Sequence, residues 1–234
     1  MLKEILEMEK QSNMKNQVID QILKSPVIPV FYDDDVDTCI KVLKSCYAGG
    51  IRVFEFVNRG PFAEQNFKIL RNYKEEHFPD LKLGIGTIMH GDDADRFIEL
   101  GTDFLVSPIF SECVAATAKK NEILWIPGCM TPTEIADAQS SGCTFIKLFP
   151  GDTLGPGFLK SIKPIFPKLR FMPTGGVDCS EESISKWFDA GVSAVGLGSK
   201  LFVKINGEYQ FGLISENCSK LLSWAKREKQ EVKG

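Results

Sequence analysis

At 234 residues, 43% of them hydrophobic and 25% charged, the chain has the length and balance of a soluble globular protein, and a single α/β barrel commonly has this size. A formal net charge of −3 gives no general attraction to nucleic acid or to anionic membranes, so any anion site has to be built locally. The charged start Met1-Leu2-Lys3-Glu4-Ile5-Leu6-Glu7 lacks the apolar core of a signal peptide, and no stretch is apolar enough to span a bilayer. Cys39, Cys46, Cys113, Cys129, Cys143, Cys179 and Cys218 never fall as Cys-x-x-Cys, which predicts reduced thiols, several of them in the core, in a cytoplasmic protein. His77 and His90 are not clustered with cysteines or carboxylates at ligand spacing, so no zinc site is expected.

Residues 1–24, rich in Glu, Lys, Gln and aliphatic side chains, predict a helix that Ser25-Pro26 stops. Strands and helices then alternate. A first strand, Val27–Tyr32, leads to a helix over Asp35–Ala48 closed by Gly49-Gly50, and a second, Arg52–Val57, leads to a helix over Phe62–His77. Leu81–Met89 and Phe104–Pro108 are the next strands, followed by helices over Asp92–Leu100 and Ser111–Lys120. Leu124–Cys129 is the fifth strand and Pro132–Ser140 its helix; Phe145–Pro150 is the sixth, with a helix over Gly157–Ile165. Arg170–Thr174 and Ala194–Leu197 complete the strands, flanking a helix over Ser180–Ala190, and a last helix runs from about Phe211 to Lys229.

Eight strands alternating with helices imply parallel βαβ units and, at this length, a (β/α)8 TIM barrel. The expected organisation is one domain over 1–234, with an extra N-terminal helix (1–24), a barrel core (25–200) and a helical tail (201–234). An open doubly wound sheet is the fallback, but no Gly-x-Gly-x-x-Gly turn follows the first strand.

The sixth strand carries a lysine inside an apolar run, Phe145-Ile146-Lys147-Leu148-Phe149-Pro150. Alternation places Lys147 on the side of Phe145 and Phe149, where desolvation disfavours an ammonium and favours a nucleophilic neutral amine. The plain alternative is a lysine at a sheet edge that snorkels to water. In a barrel the site lies at the carboxyl ends of the strands. There the second strand supplies Glu55 and, just beyond it, Arg59, a set that also reads as a structural Arg–Glu pair. The third strand ends in Gly84-Ile85-Gly86-Thr87. The last two strands end in Pro173-Thr174-Gly175-Gly176 and Gly196-Leu197-Gly198-Ser199, the positions where barrels bind phosphate through backbone N–H groups.

These residues together resemble the class I aldolases that cleave 2-keto-3-deoxy-6-phosphogluconate (KDPG) and 4-hydroxy-2-oxoglutarate (KHG). The matching segments are Pro26–Pro29, Glu55–Arg59, Gly84–Thr87, Ser107-Pro108, Ile126–Gly128, Lys147–Pro150, Pro173–Gly176 and Gly196–Ser199, in the family's order over about residues 25–200. The resemblance implies a metal-independent carbon–carbon lyase without cofactor. Lys147 would form a Schiff base with a 2-keto acid, and Glu55 would act as general acid/base. Arg59, Thr87, Pro108, Phe149 and Thr174 would contact the keto-acid end, and Gly175, Gly176 and Ser199 would hold a substrate phosphate. The implied products are pyruvate and glyceraldehyde 3-phosphate, and the implied assembly is a homotrimer. The chain departs from the family at Val57, where threonine is frequent, at Ile109, where glycine is frequent, and in the loop Gly151–Gly157, whose Leu-Gly-Pro is closer to the branch acting on the galactonate-derived substrate. A KHG aldolase is the alternative within the family. A phosphate-binding barrel isomerase or a non-catalytic sugar-phosphate binder is the alternative outside it, and the central lysine counts against both.

Overall fold

Short apolar runs alternate with amphipathic ones along most of the chain, and a computed structural model, which describes residues 14–231, turns each into a strand or a helix. The predicted helix over residues 1–13 and the last three residues of the tail lie outside the described residues; residues 14–24 form helix α1. The parallel strands are β1 (Val27–Phe31), β2 (Val53–Val57), β3 (Lys82–Gly86), β4 (Phe104–Val106), β5 (Leu124–Ile126), β6 (Gly128–Cys129), β7 (Phe145–Leu148), β8 (Arg170–Pro173) and β9 (Val195–Leu197). Between them run α2 (Val36–Ala48), α3 (Ala63–His77), α4 (Gly91–Glu99), α5 (Glu112–Lys120), α6 (Pro132–Ser140), α7 (Gly151–Ile162) and α8 (Glu181–Asp189). The chain ends in a two-stranded hairpin, β10 (Lys204–Ile205) and β11 (Glu208–Tyr209), and helix α9 (Phe211–Glu231).

Hydrogen bonding orders the strands β5-β4-β3-β2-β1-β9 in one curled parallel sheet and β6-β7-β8 in a second. The registers that matter for function are Val30↔Glu55 and Glu55↔Gly84 on one side, and Gly128↔Lys147 and Lys147↔Met172 on the other. Between β8 and β9, Thr174 and Gly196 form a single parallel bridge, and Ser193 N–H donates to Phe171 O (2.8 Å).

Two apolar layers hold the fold. The outer one lies between strands and helices and includes Phe54, Phe56, Phe67, Phe97, Phe171 and Trp187. The inner one collects Ile28, Val53, Phe104, Leu124, Phe145 and Met172 from the strands and Val18, Ile19 and Ile22 from α1. Most of these strand residues begin their strands, so α1 covers the amino-terminal end, opposite the carboxyl ends. Burying each of its three anchors contributes about 1.5–3 kcal/mol, as an upper estimate. Helix starts follow local chemistry: Asp35 accepts from Thr38 N–H (3.0 Å), Thr131 and Glu134 form a capping box, and Ser180 accepts from Ser183 N–H (3.3 Å). Four cysteines, Cys39, Cys46, Cys129 and Cys218, are buried, as expected of core thiols.

Several boundaries differ from the sequence reading. The fifth strand divides at Pro127, which has no N–H for the ladder although its carbonyl accepts from Lys147 N–H (2.8 Å). The third strand stops at Gly86, because Thr87 takes a left-handed conformation (φ 63°). The sixth helix begins at Gly151 rather than Gly157: Leu154 N–H closes a turn on Pro150 O (3.3 Å), and the helix breaks at Gly155 (φ 69°, ψ 169°) before resuming to Ile162. The hairpin β10–β11 was not anticipated; Asn206 (φ 51°) and Gly207 (φ 84°) make its tight turn, for which Asn-Gly is the favoured pair.

Candidate active site

The strand β7 sits between β6 and β8, so Lys147 is central in its sheet and cannot be an edge residue. It is only 5% exposed, and its Nζ stands 5.0 Å from the centre of the Phe149 ring. Glu55, on β2 and 1% exposed, faces it across the interior with Oε1 3.9 Å from Lys147 Nζ. That gap is an ion-pair contact and too long for a hydrogen bond. The second oxygen, Glu55 Oε2, is buried with no protein partner, as is Thr174 Oγ1. Buried polar atoms without a partner are costly.

Burial dominates the electrostatics of both groups. Desolvation pushes the Lys147 ammonium below its ordinary value of 10.5; the Glu55 carboxylate opposes that shift and the Arg59 guanidinium adds to it. Desolvation likewise raises Glu55, against the two cations. Burial therefore drives both groups toward their neutral forms, amine and carboxylic acid. Arg59 is exposed in the turn after β2 and, among the described residues, forms no ion pair with Glu55, so the plain Arg–Glu reading fails. Glycine makes room for the carboxylate: a methyl group on Gly86 would overlap Glu55 Oε1. We expect Gly86→Ala to displace Glu55 and to cost about 1–3 kcal/mol of stability, read as a lower denaturant midpoint together with slower turnover.

Above this pair a cleft of about 770 Å³ opens at the carboxyl ends of the strands. Arg59, Phe149, Thr174, Gly175, Gly176 and Ser199 all line it, so the loops after β8 and β9 do meet. Gly175 (φ 85°) and Gly176 (φ 67°) are both left-handed, and a methyl on Gly176 would fall 2.5 Å from Asp152 Cα. Not every expected residue is brought there. Thr87 and Pro108 sit at the ends of β3 and just past β4, and neither lines the cleft; Lys147 and Glu55 lie beneath it rather than on its wall. Thr87 is β-branched yet left-handed, a conformation usually retained only where the surroundings demand it. The cleft also contains residues that the sequence reading passed over: Tyr32, Asp152, Lys200, Lys204 and Tyr209. Lys200 was legible as the next residue after the glycine–serine strand end, and the Asn206-Gly207 turn would have announced the hairpin that carries Lys204 and Tyr209. Among the described residues no cluster of histidine, cysteine and carboxylate could hold a metal ion, and no helix is long and apolar enough to cross a membrane.

A family model described as "Aldolase: KDPG and KHG aldolase" matches residues 18–210, most of the chain and all of the strands that build this site. The chain belongs to the KDPG and KHG aldolase family. Within that family of lyases, the chain is 27% identical over 181 residues to the 2-dehydro-3-deoxy-6-phosphogalactonate aldolase of Escherichia coli K12, covering 76% of this chain and 85% of that one. It is 31% identical over 168 residues to the 2-dehydro-3-deoxy-phosphogluconate aldolase of Pseudoalteromonas atlantica, covering 70% and 75%. Among solved structures, the KDPG aldolase of Legionella pneumophila superposes with a TM-score of 0.77 at 29% identity, covering 86% of this chain and 96% of that one. In that crystal pyruvate is captured at low pH as a covalent carbinolamine intermediate.

Proposed function

We propose that this KDPG/KHG aldolase family member is a metal-independent class I aldolase. It would cleave 2-keto-3-deoxy-6-phosphogluconate or its galactonate epimer to pyruvate and glyceraldehyde 3-phosphate. The observation that carries the reading is the buried, central Lys147 with Glu55 Oε1 3.9 Å from its amine. Lys147 attacks the C2 ketone as a neutral amine, forming a carbinolamine. Loss of water gives the iminium, which accepts the electron pair of the C3–C4 bond as that bond breaks. Glu55, whose hold on a proton burial strengthens, donates the proton that lets water leave; as carboxylate it then takes the C4 hydroxyl proton as the aldehyde forms. The enamine that remains is protonated at C3, and hydrolysis frees pyruvate and the lysine.

Arg59, a cation on the cleft wall, pairs with the substrate carboxylate. Thr174 Oγ1, buried without a partner, supplies a hydrogen bond beside the lysine, and Thr87 and Pro108 complete the keto-acid end. Gly175, Gly176 and Ser199 receive the phosphate on the cleft wall. The strands are proposed to close as a single-domain (β/α)8 barrel: Thr174 bridges to Gly196, and β5 and β6 are separated only by Pro127. The extra N-terminal helix caps its floor. A cytoplasmic homotrimer is the assembly that the resemblance implies, and light scattering of the purified protein tests it.

Borohydride reduction in the presence of pyruvate, followed by peptide mass spectrometry, tests the chemistry: one reduced pyruvate on Lys147 is expected, and a folded enzyme without adduct would sink the reading. Assays with the phosphorylated six-carbon acids and with 4-hydroxy-2-oxoglutarate then separate the KDPG-type reaction from the KHG alternative. Arg59→Met is expected to raise KM for the keto acid about 10- to 100-fold, the range of a charge-assisted hydrogen bond. The same change removes a positive charge that holds the Lys147 value down, so the midpoint of the trapping-rate pH profile should move upward.

A further inference from the structure

Beyond the strand ends, the hairpin β10–β11 leans over the cleft, and the alternation of its residues decides what it offers. Lys204 and Tyr209 are directly opposite one another in the ribbon and therefore share a face. Both line the cleft, with Gly175, Gly176 and Ser199, whereas Ile205 and Glu208 take the other face and are exposed. The ribbon is anchored from behind. Phe202 packs on Phe31 (ring centres 4.6 Å apart), the Tyr209 ring meets Phe31 edge-on (5.6 Å), and Tyr209 O–H donates to Asp33 Oδ2 (3.2 Å). Lys204 Nζ rests over the Tyr209 ring, 4.1 Å from its centre, which directs a long flexible side chain along the ribbon instead of into solvent.

Of the two lysines on the cleft wall, Lys200 and Lys204, only one is left with its charge unpaired. Lys200 is engaged by Asp178, and Asp152 contributes a negative charge to the same wall. Among the described residues Lys204 forms no ion pair, so its charge is unneutralised on the wall it shares with Gly175, Gly176 and Ser199. An unneutralised ammonium at the mouth of a site on an acidic chain favours a doubly charged oxyanion far more than a neutral hydroxyl.

We infer that the hairpin is a specificity element: the Lys204 ammonium, held by Tyr209, binds the distal phosphate of the substrate and selects phosphorylated keto acids over unphosphorylated ones. This rests on the proposed aldolase reading and adds a side-chain contact to the glycine-rich backbone cradle. A single exposed charge-assisted contact corresponds to about tenfold in affinity.

The test compares kcat/KM for KDPG with that for its unphosphorylated counterpart, 2-keto-3-deoxygluconate, in wild type and in Lys204→Met, Lys204→Arg and Ile205→Ser. Lys204→Met should lower the phosphorylated-to-unphosphorylated ratio about tenfold, mainly through KM, while Lys204→Arg restores most of it and Ile205→Ser leaves it unchanged. An unchanged ratio in Lys204→Met, or an equal loss with both substrates, would overturn the inference. Pyruvate trapping in the same variants keeps the two readings apart: adduct on Lys147 with an unchanged ratio defeats only the hairpin's role, and no adduct in wild type defeats the aldolase reading beneath it.

Discussion

Lys147→Ala is expected to abolish carbon–carbon cleavage, a loss of about 10⁴-fold or more in kcat, because among the described residues Lys147 is the lysine buried beside Glu55 and its amine forms the electron sink. Pyruvate release followed with a coupled dehydrogenase reads the loss, and borohydride trapping locates it: the adduct seen in wild type should vanish and not reappear on Lys200 or Lys204, the other lysines of the cleft. Truncation leaves a cavity at a site 5% exposed, so Lys147→Met, which nearly conserves volume, is the companion variant. If both variants keep native circular dichroism and both lose the adduct, the amine and not the fold is responsible. An adduct surviving in either would move the chemistry to another residue. In wild type the trapping rate should rise with pH as the amine loses its proton, and level off below 10.5, because burial and the Arg59 charge lower that group.

Glu55→Gln should lower kcat by about 10²–10⁴, the usual contribution of a positioned proton donor and acceptor, while the neutral isostere still fits over Gly86. Its pH signature is opposite to that of Arg59→Met. The Glu55 carboxylate supports the Lys147 ammonium, so removing it lets burial act unopposed, and the trapping midpoint should move down. The wild-type kcat profile should lose its acid-side limb in this variant, since that limb reports a carboxyl raised above the ordinary 4.5. An unchanged kcat, or a midpoint that moves up, would remove Glu55 from the proton transfers and leave it as a structural partner of the lysine.

The residues proposed for this chemistry were legible along the chain because each stands where a local rule makes it conspicuous. A lysine between phenylalanines in a strand-length run and glycine pairs at successive strand ends announce themselves without any knowledge of tertiary contacts. So does the period of the elements: alternation of apolar strands with capped helices yields parallel βαβ units by backbone geometry alone. Short-range chemistry also decided the ends of the helices, as at Asp35, Thr131 and Ser180. What a linear pattern does not contain is distance across the interior. That Glu55 pairs with Lys147 and not with Arg59 follows from the curvature of the sheets, which sets β2 opposite β7 and leaves Arg59 outside on a turn. That both groups are driven toward their neutral forms follows from the packing that excludes water around them. The same holds for Lys204: it is one lysine among many in the sequence, and it becomes a cleft residue only because a two-residue turn folds the ribbon back and Phe202 and Tyr209 fasten it to Phe31. The chain by itself determined which residue types could do the chemistry and on which strands they ride; the tertiary structure decided which of them meet, because burial and proximity are properties of the packed interior and of no single segment.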